Sequence, residues 1–79
     1  MSETDKRVHD ILVDRLALSD APNNEDNLFD DLGIDSLDAV EVIMECEKEF
    51  GIVIPDEDSE TVRTVQDVIN VVKKQTGEA

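Results

Sequence analysis

The stretch Ser36-Leu37-Asp38-Ala39-Val40-Glu41-Val42-Ile43-Met44-Glu45-Cys46-Glu47-Lys48-Glu49-Phe50-Gly51 decides the fold. At about 100° per residue, Asp38, Glu41, Glu45, Lys48 and Glu49 fall within one arc. Leu37, Ala39, Val40, Ile43, Met44, Cys46 and Phe50 fill most of the remainder. The pattern predicts an amphipathic helix over 36–50 that stops at Gly51, a residue suited to a left-handed helix terminus. Asp35 is placed to cap this helix, which leaves the Ser36 hydroxyl outside it. Glu47 falls among the apolar positions, as it would if the helix end were exposed.

Before this helix, residues 19–35 are rich in Asp, Asn, Pro and Gly, which favour turns and break both regular periods. A long loop is expected, with Leu28, Phe29, Leu32 and Ile34 packing it onto the body. Upstream, Val8, Ile11, Leu12 and Leu16 repeat on one helical face, which predicts a first helix over about 4–17 with Ser2 or Thr4 as its cap. His9 lies on the polar side of that helix and is expected to be exposed. On the C-terminal side, Ile52-Val53-Ile54 reads as an extended connector ended by Pro55. A short third helix is expected from Asp56 to Val62. Thr64-x-x-Asp67 then gives a capping-box start to a last helix with Val65, Val68, Ile69 and Val72 on its inner face, and Lys73 and Lys74 suit its negative end. Gln75 to Ala79 are expected to fray. The chain is therefore all-α, and residues 1–79 read as one domain.

Lys+Arg 7 against Asp+Glu 21 gives a net charge of −14, which excludes direct nucleic-acid binding. Between Glu25 and Glu60 fourteen acids face one base, Lys48. Such a surface is either a solvated face that maintains solubility or a docking surface for basic partners. No apolar run approaches the roughly 20 residues of a membrane helix, and Met1-Ser2-Glu3-Thr4-Asp5 lacks the basic start of a secretion signal. A cytoplasmic protein without membrane insertion is expected. The lone Cys46 allows no internal disulfide and reads as a small core thiol. No metal site is expected, unless the loop brings Asp30, Asp31, Asp35 and Asp38 together around a divalent ion. His9 is the single histidine, so no nucleophile-histidine relay is evident and an enzyme is not indicated. Ser36 remains. A phosphodiester on its hydroxyl would sit near the positive end of the helix dipole, although an ordinary helix-capping role fits the local sequence as well.

Leu28-Phe29-Asp30-Asp31-Leu32-Gly33-Ile34-Asp35-Ser36-Leu37-Asp38, followed by Val40-Glu41, Glu47-Lys48-Glu49-Phe50-Gly51-Ile52 and Ile54-Pro55-Asp56-Glu57, resembles the bacterial acyl carrier proteins. The resemblance covers nearly the whole chain. It implies a four-helix bundle with a short third helix and a long loop between helices one and two. It also implies a non-enzymatic carrier on which Ser36 receives 4′-phosphopantetheine from coenzyme A through a phosphopantetheinyl transferase, and acyl chains then ride on that arm as thioesters. Type II fatty-acid synthesis is the expected pathway, with ketoacyl synthases, reductases, a dehydratase and acyltransferases as partners of a monomer. Asp38, Glu41 and Glu45 are expected to meet those partners, with Asp35 and Leu37 nearer the transferase and Glu47 and Asp56 peripheral. Ala39, Ile43, Cys46, Ile54, Val62 and Val68 are the expected acyl-pocket positions. The chain departs from the family at Ile34, Cys46, Arg63 and Ala21-Pro22-Asn23, which bears on cargo and admits a carrier for polyketide, lipid A or aminoacyl transfer. An acidic interaction module without a prosthetic group would share the charge and the helices but would not require Ser36.

Overall fold

The computed structural model describes residues 3–77. Four helices follow in order, α1 (Glu3–Leu16), α2 (Ser36–Phe50), α3 (Asp56–Ser59) and α4 (Val65–Thr76). The three long helices pack on one another in every pairing. Val8 and Leu12 from α1, Val42, Ile43 and Cys46 from α2, and Val65, Val68, Ile69 and Val72 from α4 bury the apolar stripe of each helix in one core. Burying a Val, Leu or Ile side chain contributes about 1.5–3 kcal/mol, so these positions carry most of the favourable free energy of the fold.

The long loop is held on two sides. Within it, Asn27 Oδ1 accepts from the backbone N–H groups of Phe29 and Asp30, both at 2.9 Å, while the Asn27 N–H donates to Asp31 Oδ2 at 2.7 Å. These bonds replace the partners that a helix or sheet would have supplied. Across it, the Leu28 N–H donates to the Arg63 carbonyl at 2.8 Å, and Val65 and Gln66 donate back to Asp26 and Asn24. Asn27 and Thr64 thereby form an isolated antiparallel bridge between the loop and the α3–α4 connector. Leu28 is fully buried and Ile34 nearly so, with Phe29 and Leu32 packed against the core, as expected from their apolar character.

The two ends of α2 and the start of α4 follow the sequence signals. Asp35 Oδ1 accepts from the Asp38 N–H at 2.9 Å, and Gly51 closes α2 at φ 65°. The capping box of α4 is formed despite its short acid: Asp67 donates to Thr64 Oγ1, and Asp67 Oδ2 accepts from Thr64 and Arg63. α3 is shorter than expected, ending at Ser59, and Asp56 is its first residue while Pro55 occupies the cap. Bonds from Thr61 to Asp58 and Val62 to Ser59 continue the chain as single turns to Val62. Thr4 lies within α1 and is buried, so it does not cap the helix, and Ser2 falls outside the described residues. Gln75 and Thr76 remain helical up to the cap at Gly77, whereas Glu78 and Ala79 also lie outside the described residues.

Two polar residues are placed differently from the helical pattern. His9 is only 5% exposed, and its Nε2 donates to Asn24 Oδ1 at 2.6 Å. The polar side of α1 at that point faces the loop and not water, and Asn24 is itself fixed by donating to Gln66 Oε1 on α4. Glu47 is not a solvent-facing residue of a frayed end: its Oε2 accepts from the Ile54 N–H at 2.8 Å. An acid among apolar positions is thus explained by the connector, whose backbone needs an acceptor where Ile54 is buried. Glu47→Ala is expected to lower stability by about 1–3 kcal/mol by orphaning that N–H, while Glu47→Gln, which keeps an acceptor, retains most of it. Urea unfolding of the two variants checks this, and equal losses would remove the tie from the account.

Candidate functional site at the head of helix two

Ser36 is the first residue of α2 and is exposed, because Asp35 has taken the capping role. Beside it lies a cleft of about 250 Å³ between α2 and the turns after α3. Phe29, Ala39, Val40, Ile43 and Val62 form its apolar lining, and Ser59, Glu60 and Arg63 its polar edge. Of the expected pocket positions, Ala39, Ile43 and Val62 line this cleft. Cys46, Ile54 and Val68 do not; they are packed in the closed core at 0%, 5% and 0% exposure. Phe29 enters the lining from the loop, whose path helical periodicity cannot give. Arg63 was visible only as a departure from the family pattern, and Val40 was assigned to the apolar face although it is half exposed.

A larger groove of about 410 Å³ runs between α1 and α2, but its lining of Arg7, Asp10, Asp14, Arg15, Glu45 and Glu49 is charged. Covering those groups with hydrocarbon would strip their water without replacement, so the smaller cleft is the one that suits an alkyl chain. Two ion pairs cross the groove. Arg7 Nη2 meets Glu49 Oε2 at 2.7 Å while the guanidinium lies 4.3 Å over the Phe50 ring, and Arg15 Nη2 meets Glu41 Oε2 at 2.8 Å.

These contacts sort the expected recognition acids. Glu41 is held by Arg15, Glu47 by the Ile54 backbone, and Asp35 by the Asp38 N–H. Asp38 and Glu45 form no ion pair among the described residues, and Asp56 is exposed at the start of α3. Leu37, Val40 and Met44 add exposed apolar surface on the same helix. Asp30, Asp31, Asp35 and Asp38 are not brought together: among the described residues no group of three or more acids, histidines or cysteines is placed to hold a metal ion. Asp31 instead serves the Asn27 turn and Asp35 the helix cap.

The phosphopantetheine attachment-site family matches residues 6–72. An acyl carrier protein of Solidesulfovibrio magneticus is 47% identical over 74 residues, covering 92% of this chain and 95% of the relative. The chain belongs to the acyl carrier protein family. Solved structures agree with that placement. One from Mycobacterium tuberculosis, assigned as an acyl carrier protein, superposes with a TM-score of 0.86 at 31% identity over 90% of this chain and 96% of the other. The acyl carrier protein of Thermotoga maritima gives 0.79 at 28% identity, covering 95% and 93%. As an acyl carrier protein the chain is a carrier and not a catalyst, and its prosthetic group is covalent 4′-phosphopantetheine. Among the described residues no helix is long and apolar enough to cross a membrane.

A carrier of thioesters should hold no competing nucleophile. Burial pushes the Cys46 thiol up to about 12, with Glu45, Glu47 and Glu49 adding to the shift. The thiolate is the reactive form, so Cys46 should resist alkylation in the native state at pH 8 and react once the chain is unfolded. Linkage gives a second readout. An unfolded thiol ionises near 8.5 while the native one stays protonated to about 12, so its contribution to stability is intact below about pH 8.5 and declines as the pH rises towards 12. Urea stability measured at pH 8 and pH 10 should fall more steeply for the wild type than for Cys46→Ala, and parallel declines would contradict the assignment.

Proposed function

We propose that Ser36 carries the 4′-phosphopantetheine arm and that the chain serves type II fatty-acid synthesis as a cytoplasmic monomer. One observation supports Ser36 above all: it is an exposed hydroxyl at the head of α2 that has been released from capping by Asp35 and adjoins the apolar cleft. The residues fit the group. A phosphodiester there lies at the positive end of a fifteen-residue helix, and the cleft begins at the same serine. When bound, the group supplies a terminal thiol on which an acyl chain is held as a thioester. The chain's own part is to shelter that acyl segment against Ala39, Ile43 and Val62 and to present the acids of α2 to basic partners. A phosphopantetheinyl transferase, ketoacyl synthases, reductases, a dehydratase and acyltransferases are the proposed partners. Their meetings must be brief, and electrostatic steering raises association rates without a large apolar interface that would slow release.

Incubation with coenzyme A and a broad-specificity phosphopantetheinyl transferase should add one phosphopantetheinyl group, detected by intact mass, and Ser36→Ala should abolish the addition. Modification at another residue, or none in a folded sample, would overturn the assignment. The pathway is tested separately by offering the loaded protein to a malonyl transferase and a ketoacyl synthase, and refusal by both would remove fatty-acid synthesis.

The ion pairs refine the recognition surface. Asp38 and Glu45 are available without cost, whereas Glu41 must leave Arg15 to meet a partner's arginine. At low salt, reversal of both Asp38 and Glu45 to Lys should slow association with the transferase strongly. Arg15→Gln should speed association by releasing Glu41, and both effects should shrink at 0.15 M salt, where the screening length is about 8 Å. Association rates indifferent to all three changes would reduce the acids to a solubility device.

A further inference from the structure

We propose that Arg63 recognises an oxygen acceptor on the carried acyl chain, so that the cleft favours hydroxyacyl or oxoacyl cargo over a plain saturated chain of the same length. The proposal rests on the carrier reading and deepens it.

Arg63 stands at the polar edge of the cleft that begins at Ser36. Its charge has no carboxylate partner: among the described residues the four ion pairs use Arg7, Arg15, Lys73 and Lys74. That is unexpected next to a segment with fourteen acids, where a free guanidinium would be expected to find one. Arg63 is instead anchored by backbone. Nη1 donates to the carbonyls of Glu60 at 2.8 Å and Val62 at 2.9 Å, and the guanidinium lies 5.9 Å from the centre of the Phe29 ring. Phe29 is itself part of the cleft lining. A guanidinium has five N–H donors, so the two bonds through Nη1 leave Nε and Nη2 to serve another acceptor. The side chain is thus fixed by one nitrogen and available through the others, the arrangement of a preorganised donor.

The consequence for cargo is differential. Arg63 is exposed, so a saturated chain laid against Phe29, Ile43 and Val62 leaves its remaining N–H groups to water and gains nothing from them. A chain with a hydroxyl or keto oxygen at that level accepts a charge-assisted hydrogen bond from Nε or Nη2 that the saturated chain cannot make.

The same donors could take the phosphodiester on Ser36, so the test separates the two oxygen sources. Four forms of the wild-type protein and of Arg63→Met are prepared: unmodified, phosphopantetheinylated, hexanoyl-loaded and 3-hydroxyhexanoyl-loaded. The Arg63 Nε–H resonance and the rate of thioester hydrolysis, normalised to the free pantetheine thioesters, are read. The Arg63 resonance should move on loading with the 3-hydroxyhexanoyl chain and not with the hexanoyl chain. The hydroxylated thioester should outlive the saturated one roughly tenfold in the wild type, as one hydrogen bond to a charged donor would give, and Arg63→Met should erase the difference. Equal lifetimes in the wild type would overturn the proposal, as would a resonance that has already moved fully on phosphopantetheinylation, which would assign Arg63 to the phosphate. Failure of the carrier reading looks different, since Ser36 would then accept no group. If hexanoyl loading moves the Ile43 and Val62 methyl resonances while Arg63 does not discriminate, the carrier stands and only this inference falls.

Discussion

Mutual repulsion among carboxylates is the constraint around which this small protein is arranged. Seven basic residues must serve a chain of net charge −14, and among the described residues four of them are stationed in ion pairs at helix seams. Arg7 and Arg15 join α1 to α2, Lys73 joins α4 to Asp5 on α1, and Lys74 joins α4 to Asp58 on α3. Each pair is partly exposed and worth little alone. Their positions matter more than their individual strength, because a cation between two helices makes the potential less negative where like charges would otherwise push the helices apart. The apolar core supplies the cohesion, and the seam cations limit the repulsion that the acidic surface imposes on it.

That arrangement leaves the head of α2 as the region where negative charge, an exposed hydroxyl and apolar surface meet. The loop is what places it there. Asn27 organises the turn internally, and the bonds from residues 24–28 to residues 63–66 fasten it to the connector before α4. The same connector carries Val62 and Arg63 into the cleft, so the wall of the cleft and the position of Ser36 are set by one group of backbone hydrogen bonds. A change that loosened the Asn27 turn would therefore disturb the site without touching a residue in it.

The amphipathic helices were legible because their signals are local: apolar spacing in α1, α2 and α4, the Asp35 and Thr64 caps, and the glycine stop at Gly51 all act within a turn or two. What escaped the sequence depends on long-range contact. Periodicity set His9 towards water because it cannot show that the loop returns over α1, and it left Glu47 unexplained because its partner, the Ile54 backbone, belongs to the next element. The end of α3 at Ser59 was not marked by any breaker before Val62. Within the candidate site, the helix pattern put Ala39 and Ile43 on the apolar face of α2, while the role of Ser36 and the pocket positions came from the family resemblance. Cys46 and Val68 are equally apolar and lie on the same helices as site or core residues, so nothing in their sequence spacing separates a wall of the cleft from the sealed core behind it. The groups facing Arg63 could be read only once the loop had brought Phe29 beside it.

On the proposed function, a chain carried from Ser36 rests in the cleft between α2 and the turns after α3, and not in the charged groove between α1 and α2. Isotope-filtered Overhauser spectroscopy on the protein loaded with a short labelled acyl chain tests it most directly. Contacts are expected from the acyl methylenes to the Ala39, Ile43 and Val62 methyl groups, and none to Ile11 in the charged groove. Contacts to Ile11, or an acyl chain that touches no methyl group of the protein, would contradict it.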